Sequence, residues 1–426
     1  MDSQQPAAGV TVVPLGPDDR DRLLGVDAAA FFFDPSQHDV AHVLDYFEWP
    51  QTFGASRDGG STLCGVYTAF SLGLTVPGPL DALTTVPMPG LSWVSVHPDH
   101  RRRGVLRAML GHHFAQLHEQ GEGISGLHAA EPAIYGRFGY AVASLEVHLS
   151  MGRGATFTAP ALGDEAGRLE TRFMPMDSDE ARARVHRLHV AATASTLGAV
   201  TRSELMGRVL FRDHPPARVG REPQQVMFCT RDGEATGYAR FTRSGTWEDG
   251  SPKGTVAVTE VAALDEASLL ALARRLVDFD LTTRVTFDQR STDDPLLWWA
   301  GGPRAVDIST YDGLWLRLVD VGRALSERGY AATCDVVIEV VDEVCPWNQR
   351  RWRLSVDDKG VGRCSPTTDP ADLRLPVQAL GAAYLGSRSI ASQAHRGVVE
   401  ERRTGAVRQL SMAMRADREP MPGIAF

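Results

Sequence analysis

Three consecutive arginines, Arg101 to Arg103, precede Gly104 in the segment HPDHRRRGVLRAML, residues 97–110. The first turn of a helix has backbone N–H groups without intrahelical partners and carries partial positive charge, so it binds phosphate groups. Gly104 lets the backbone approach an anion closely, and guanidinium groups add charge-assisted hydrogen bonds. The segment therefore predicts a pyrophosphate site, with a solvated basic loop as the alternative.

The sequence lacks two common phosphate-binding motifs, and this limits which phosphate ligands the turn could bind. Neither the Walker pattern GxxxxGK[ST] nor the dinucleotide pattern GxGxxG occurs in the chain. The formal net charge of -9 disfavours nucleic acid or an anionic membrane as the main partner. We therefore expect another small phosphate-bearing ligand, and neither a nucleic-acid nor a membrane partner.

The elements around the arginines must place them at a strand-to-helix junction. We predict a buried strand for the apolar segment GLSWVSV, residues 90–96. The next segment has apolar residues at helical spacing, and GISGLHA, residues 123–129, reads as a second strand. The helical stripe consists of Leu106, Leu110, Phe114 and Leu117. A strand, a helix and a strand in this order predict a βαβ unit with parallel strands and a right-handed crossover.

A second cycle of strands and helices covers about residues 160 to 305. VAVTEVAAL followed by DEASLLALARRL, residues 256–276, has the same order as the strand and helix around the arginines. Asp265 and Glu266 replace the arginines, so an anion would be repelled there. A third unit begins near residue 312, with a strand pair predicted in CDVVIEVVDEVCPWNQRRWRLSV, residues 334–356. The length of 426 residues also favours about three domains.

Cysteine usage and the chain start indicate the compartment. The 5 cysteines form no CxxC pair, which argues against a disulfide framework and against a zinc site. The segment MDSQQPAAGV lacks the basic and apolar parts of a leader, and no apolar run approaches the roughly 18 residues of a membrane span. We expect a cytoplasmic protein without a metal ion.

The segment VSVHPDHRRRGVLRAML, residues 94–110, resembles the acetyl-CoA signature R/Q-x-x-G-x-G/A of the GCN5-related N-acetyltransferases (GNAT), with Leu106 where the pattern has Gly or Ala. RRRGVLRAM, LHAAEPAIYGRFGY (residues 127–140) and the terminal Phe426 are similar to the enhanced-intracellular-survival (Eis) type within this family. The resemblance implies an α/β (α+β) protein with two tandem GNAT-like domains, the second degenerate, followed by a sterol-carrier-like domain.

The domain boundaries expected from this layout are 1–155 for the catalytic domain, 156–308 for the degenerate domain and 309–426 for the sterol-carrier-like domain. The resemblance also implies a homo-oligomer, a hexamer. The implied co-substrate is acetyl-CoA. The residues expected to bind it are Val94, Ser95, Val96, Arg102, Arg103, Gly104, Val105, Leu106, Arg107, Ala130 and Glu131.

Ala130 departs from the family, which commonly has a serine at this position. The lost hydrogen bond is worth about 1 kcal/mol, so we expect acetyl-CoA binding to survive.

Acetyl transfer to an amine needs a proton donor for the leaving thiolate and a proton acceptor for the attacking ammonium. The resemblance assigns the donor to Tyr135, whose hydroxyl is protonated at neutral pH. From the residues alone, Tyr135 and Tyr140 could equally pack the end of a strand.

The proton acceptor cannot be read from the strand before the arginines, because no acidic residue lies between Asp81 and Asp99. The resemblance implies the terminal carboxylate of Phe426, although most chain termini are frayed and inert. His128 and Glu131 are the rival bases.

The expected function is acetyl-CoA-dependent N-acetylation of primary amines, either on cationic small molecules (aminoglycoside-like or polyamine-like) or on lysine side chains. The alternative is a non-catalytic protein that uses the same folds to bind coenzyme A or lipid. A deep apolar cavity in residues 312–426 would favour that alternative.

Overall fold

The computed structural model describes residues 9–34, 41–57, 59, 62–80, 82–212, 215–218 and 220–426. The chain forms two compact units. Unit 1 contains Met1–Ala143, Leu314–Ala416 and Phe426, and unit 2 contains Ser144–Gly313 and Asp417–Ala425. No helix in the described ranges is both long and apolar enough to cross a membrane.

The strands and helices follow each other along the chain in mixed order. The strands are β1 (Thr11–Pro14), β2 (Thr52–Ser56), β3 (Leu63–Pro77), β4 (Leu83–Val96), β5 (Ile124–Leu127), β6 (Ala141–Val142), β7 (Leu145–Gly152), β8 (Glu170–Pro175), β9 (Val200–Thr201), β10 (Gln225–Arg231), β11 (Glu234–Ser244), β12 (Trp247–Glu248), β13 (Ser251–Pro252), β14 (Gly254–Ala263), β15 (Thr282–Arg290), β16 (Asp307–Asp312), β17 (Trp315–Leu318), β18 (Cys334–Val341), β19 (Arg351–Val356), β20 (Gly362–Pro366), β21 (Leu373–Pro376) and β22 (Glu400–Glu401). The helices are α1 (Arg20–Phe31), α2 (Val105–Glu119), α3 (Pro132–Tyr135), α4 (Gly163–Arg168), α5 (Asp179–Ala194), α6 (Glu204–Leu210), α7 (Glu266–Leu276), α8 (Pro295–Trp299), α9 (Val321–Glu327), α10 (Val377–Ala383), α11 (Ile390–His395) and α12 (Ala406–Met414).

The first sheet of unit 1 has the strand order β1-β2-β3-β4-β5-β17-β6. Its neighbours pair antiparallel except β4 and β5, which are parallel with Gly90 opposite Gly126. This arrangement confirms the predicted βαβ unit. Strand β17, far along the sequence, lies between β5 and β6 and completes the sheet.

Helix α2 packs its apolar side onto this sheet. Its buried residues are Val105, Met109, Leu110, His113, Phe114 and Leu117. Leu106, which the sequence places in the stripe, is only partly buried. Full burial of one large apolar side chain contributes about 1.5–3 kcal/mol, so this face fixes the helix on the sheet.

The second sheet of unit 1 has the order β20-β19-β18-β21-β22. Strands β18 and β19 pair antiparallel, as the sequence predicts for residues 334–356. Side chains alternate between a buried face and an exposed face, as expected for a sheet covered on one side. Ion pairs occupy the exposed face, for example Arg353 with Asp335 and Arg403 with Asp372.

A buried arginine occupies the core beside this second sheet. Arg328 is 1% exposed and donates to the carbonyls of Gly329, Ala383, Tyr384 and Met414. Two of these carbonyls belong to α10 and the residue after it, and one ends α12. The guanidinium therefore satisfies backbone oxygens at two helix ends, which carry partial negative charge.

Unit 2 has one large sheet with the order β16-β7-β15-β14-β11-β10-β8, in which only β14 and β15 pair in parallel. Met227 and Cys229 pack in the cluster that contains α7, whereas Val226 and Phe228 pack in the cluster that contains α5. Alternate residues of one strand point to opposite faces, so the two helices cover opposite faces of the sheet.

The strand–helix–strand order β14-α7-β15 confirms the second cycle predicted from the sequence. The N-terminus of α7 is capped by Asp265, which accepts from the Ser268 amide at 2.8 Å and pairs with Arg231 at 3.0 Å. A carboxylate already fills the position of an anion. This helix start therefore does not offer a phosphate site.

We expect Arg328→Met to lower the free energy of unfolding by about 3 kcal/mol or more, because several buried carbonyls lose their donor. Chemical denaturation measures this change. The control Arg353→Met removes exposed ion pairs and is expected to cost less than about 1 kcal/mol. Equal effects of the two substitutions would contradict the role given to Arg328.

Candidate active site

Strands β4 and β5 separate just after they pair. Gly90 lies opposite Gly126, and β5 ends at Leu127, whereas β4 continues to Val96 and pairs with β3. Trp93 has φ 54 in the left-handed region, where the β3–β4 register shifts. Such a bulge turns a strand away from its neighbour. The last residues of β4 thus have one edge that no described strand pairs with.

The predicted ligand-binding residues of β4 lie on this edge. The Ser95 hydroxyl donates to the carboxylate of Asp27 on α1, and both side chains are buried. Val94 and Val96 are partly buried against the apolar cluster that contains α2. The Ser95 side chain is therefore engaged inside the protein, and the backbone groups of residues 94–96 can serve a ligand.

The arginine turn opens helix α2. Arg102 and Gly104 have left-handed backbones, with φ 61 and φ 79, and Gly104 is the N-cap residue. No described side chain caps the helix, so the amides of its first turn, at Val105, Leu106 and Arg107, are available to a ligand. Arg102 and Arg103 are exposed. These features fit a diphosphate: uncapped amides, a glycine at the approach and exposed cations beside it.

The departure at Leu106 has a structural reason. Its side chain is partly buried against the cluster of α2. Its amide remains part of the first helical turn. A leucine at this position therefore leaves the uncapped amides in place.

Ala130 and Glu131 lie in the exposed loop between β5 and α3. Glu131 is the N-cap residue of α3, and its carbonyl accepts from the Ile134 amide at 3.1 Å. Its side chain makes no capping hydrogen bond. The loop is open to solvent, as a binding position for a soluble ligand would be.

Tyr135 ends helix α3 and is 8% exposed. Its ring meets that of Tyr140 edge to face, with centroids 6.1 Å apart. Burial, with a smaller contribution from the charge of Glu131, raises the pKa of Tyr135 to about 12. Among the described residues, none forms a hydrogen bond with the Tyr135 hydroxyl. The group is a protonated donor whose hydrogen is not used by any described residue.

Tyr140 has a different environment. Its hydroxyl lies 2.8 Å from Ser125 Oγ, which lies 3.0 Å from His113 Nε2. All three side chains are fully buried, and burial lowers the pKa of His113 to about 3. This neutral chain of hydrogen bonds stabilises the core behind the strands. Of the two tyrosines in the motif, Tyr135 is the one that remains available for chemistry.

Phe426 lies where β4 and β5 separate. A Cβ atom on Gly90 would come within 2.6 Å of the Phe426 ring and 2.5 Å of Leu72. The ring also meets the His128 ring edge to face, at a centroid distance of 5.1 Å. Because Gly90 has no side chain, the Phe426 ring has room to pack against it. One rival base, His128, lies beside Phe426.

The residues before Phe426 pack within unit 2. The Met421 amide donates to the Leu197 carbonyl at 2.8 Å, and the Val200 amide donates to the Pro422 carbonyl at 3.2 Å. The Glu419 amide donates to Asp293 at 2.9 Å. The terminal segment is therefore held by hydrogen bonds and does not fray.

A cavity of about 460 Å³ in unit 2 is lined by Gly423, Ile424 and Ala425. Its wall also includes Glu146 and Asp288. Burial, and then the neighbouring charges of Asp312 and Asp288, raise the pKa of Glu146. His148 forms an ion pair with Asp288. This wall concentrates negative charge.

The sequence analysis did not find this acidic wall. Glu146 and Asp288 of the wall, and Asp312 whose charge acts on Glu146, come from the neighbouring strands β7, β15 and β16. They share no local motif, and only the order of the strands brings them together. The lining also contains Arg202 and Arg240, which both pair with Glu260.

Family models for an acetyltransferase (GNAT) domain match residues 11–143 and residues 198–318. A model for a sterol carrier protein domain matches residues 321–422. These matches confirm two GNAT domains followed by a sterol-carrier-like domain. The boundaries expected at 155 and 308 stay predictions.

The chain is similar to named N-acetyltransferases over most of its length. An uncharacterized N-acetyltransferase from Streptomyces avermitilis is 39% identical over 356 residues, 83% of this chain and 84% of the relative. The N-acetyltransferase Eis from Mycobacterium tuberculosis is 30% identical over 369 residues, 85% of this chain and 86% of the relative.

The crystal structure of Eis1 from Mycobacterium abscessus superposes with a TM-score of 0.80 at 28% identity, covering 98% of this chain and 100% of that one. Family membership implies acetyl-CoA as the co-substrate. In the described residues no cluster of three or more His, Cys, Asp or Glu side chains is arranged to hold a metal ion. The family resemblance read from the arginine turn and the YGRFGY segment is confirmed: the chain belongs to the Eis-type GCN5-related N-acetyltransferases and is an N-acetyltransferase.

Proposed function

We propose that the enzyme transfers acetyl from acetyl-CoA to primary amines of cationic small molecules, aminoglycoside-like or polyamine-like, or to lysine side chains. Tyr135 is the general acid, and the carboxylate of Phe426 is the general base. The observation that carries the proposal is the packing of Phe426 on Gly90, where β4 separates from β5.

The reaction is a direct transfer. The amine nitrogen attacks the thioester carbonyl carbon, so that a C–N bond forms and the C–S bond breaks. The base takes a proton from the attacking nitrogen, and the acid gives a proton to the departing thiolate. Backbone groups at the free edge of β4, residues 94–96, are suited to polarising the carbonyl.

The environment of Tyr135 supports its role as the acid. A phenol with a pKa of about 12 stays protonated at neutral pH. Its proton is not engaged by any described residue. A thiolate that develops negative charge in a water-poor site would draw this proton strongly.

The environment of Phe426 supports its role as the base. An exposed α-carboxylate is a weak base with a pKa of roughly 3.5, and desolvation raises this value. The Phe426 ring packs against Gly90 and His128, and the residue is partly buried. Glu131 is exposed.

The acidic wall in unit 2 supports a cationic acceptor. Glu146 and Asp288 line the same cavity as Gly423 to Ala425, the residues that precede Phe426. Burial, and then the neighbouring charges of Asp312 and Asp288, raise the pKa of Glu146. An ammonium group beside Glu146 and Asp288 would relieve the repulsion between these carboxylates.

The alternative, a carrier for lipid, is not favoured by the core of the C-terminal segment, Leu314–Ala416 of unit 1. Arg328, Tyr330 and Tyr384 are fully buried there and hydrogen-bonded to backbone carbonyls. A cavity of about 350 Å³ at the second sheet is lined in part by the charged Arg374 and Glu400. A hexamer and a cytoplasmic location are proposed from the family alone.

We expect Arg103→Ala to raise KM for acetyl-CoA about tenfold with little change in kcat, because one charge-assisted contact to a phosphate is worth about 1.5–3 kcal/mol. Initial rates at varied acetyl-CoA concentration measure the effect. The control Arg153→Ala, another exposed arginine, should leave KM unchanged. Equal KM values for all three proteins would rule out a phosphate contact at Arg103.

We expect Tyr135→Phe to lower kcat by about 100-fold or more while both KM values stay close to wild type, since only the proton donor is removed. A thiol-release assay measures this. Because burial raises the pKa of Tyr135 to about 12, the acid stays protonated, and the wild-type rate should not decline up to about pH 10. Tyr140→Phe breaks the hydrogen bond to Ser125. It should lower the melting temperature, while kcat stays close to that of the wild type. The reverse pattern would assign the acid to Tyr140.

We expect one glycine appended after Phe426 to lower kcat by about 100-fold, because it moves the carboxylate by roughly 3.5 Å. The ring and its packing remain, so the melting temperature should not change. Phe426→Leu keeps the carboxylate and is expected to retain more activity. If the extended chain is fully active and His128→Ala is inactive, His128 is the base.

A further inference from the structure

Two side chains of the C-terminal segment hold the turn that follows Tyr135. This turn is a 3₁₀ turn, Gly136–Phe138, followed by Gly139 with φ 91. Arg317 Nε donates to the Phe138 carbonyl at 2.9 Å, and Gln378 Nε2 donates to the Gly136 carbonyl at 2.8 Å. Both donors are distant in sequence, by 179 and 242 residues.

Arg317 is fixed in place by its own partners. It lies on β17, is fully buried, and donates through Nη2 to both oxygens of Asp342 at 2.9 and 3.0 Å. Its Nη1 donates to the Leu318 carbonyl at 2.6 Å, and its guanidinium lies 4.5 Å from the centre of the Phe114 ring. Asp342 also accepts from the amide of Cys345. The guanidinium is therefore a rigid donor.

A buried ion pair of this kind is a costly way to gain stability. Desolvation of both ions can exceed their attraction, and an apolar replacement is often neutral. A guanidinium at this position does something that an apolar side chain could not, because it donates to the carbonyl of a turn. The role of the Arg317 guanidinium at this position is therefore to orient that turn.

Gly139 shows how closely the turn is packed. A Cβ atom there would lie 3.0 Å from the Arg317 guanidinium carbon and 3.1 Å from Val377. Val377 begins α10, and Gln378 is the next residue of that helix. Strand β17 and helix α10 thus contact the turn from two elements of the C-terminal segment.

We propose that Arg317 and Gln378 are positioning residues that orient Tyr135 for proton transfer. This inference rests on the proposed role of Tyr135 as the acid. No described residue bonds the Tyr135 hydroxyl, so the ring is placed by the backbone of its turn and by packing on Tyr140. Strand β17, and helix α10 of the sterol-carrier-like domain, thereby serve as a scaffold for catalysis in the first domain.

The test is a double-mutant cycle with Gln378→Leu and Tyr135→Phe, because Gln378 is only partly buried and its loss is tolerable for folding. Gln378→Leu should lower kcat about tenfold with KM for acetyl-CoA unchanged, as expected for a misplaced catalytic group. In the Tyr135→Phe background the same substitution should have no further effect on kcat, since the group it positions is absent.

Gln378→Glu, nearly the same size, provides the second variant. It replaces the donor by a carboxylate facing the Gly136 carbonyl, and we expect a loss of kcat at least equal to that of Gln378→Leu. Gln409→Leu, which removes an amide from α12 that accepts from Arg403, is the matched control and should be fully active.

The outcomes separate the two proposals. If Tyr135→Phe lowers kcat but Gln378→Leu does not, or if the two losses multiply, the positioning role is wrong while the acid stands. If Tyr135→Phe is fully active, both fail. A lowered melting temperature with kcat unchanged in Gln378→Leu would mean that the contact is structural only.

Discussion

The pairing of β4 with β5 at Gly90 and Gly126 is the constraint on which the candidate site depends. Helix α2 connects these two parallel strands, so its N-terminus, with the uncapped amides, follows the end of β4. Neither position has room for a side chain: Phe426 fills the space at Gly90, and Met88 fills it at Gly126. Separation of the strands beyond this point leaves an unpaired backbone edge. A thioester and an incoming amine can meet at such an edge.

The same topology occurs in unit 2 without the same chemistry. Strand β14, helix α7 and strand β15 repeat the order, but Asp265 caps the helix in place of an anion. Glu260 lies on β14. Although burial alone would raise it, pairing with Arg202 and Arg240 holds the pKa of Glu260 well below its usual range. A carboxylate so strongly paired is a poor base. Asp265 at the helix start and the paired Glu260 on the strand thus distinguish this unit from the arginine turn of the first domain.

Local features of the sequence predicted the βαβ unit, the arginine turn and the second cycle, because neighbouring residues determine them. The helical stripe was slightly misplaced, since Val105 and Met109 are buried where Leu106 is not. Insertion of β17 between β5 and β6 could not be predicted, because it joins segments far apart in the chain. For the same reason the acidic wall and the contacts of Arg317 were not foreseen. Only the family resemblance pointed to Phe426, since a terminal phenylalanine has no signal of its own.

The C-terminal segment gives the first domain a strand, a buried guanidinium and an amide donor. In the core of this segment, Arg328 donates to the carbonyls of Ala383 and Met414 at two helix ends. The apolar chain of a lipid could not replace these hydrogen bonds. A ligand carrier needs an apolar volume that opens and closes, whereas this core has fixed polar contacts at its centre. Arg328 donates to a carbonyl at the end of α10, and Gln378 of the same helix donates to the turn after Tyr135, so the fixed contacts of this core extend to that turn.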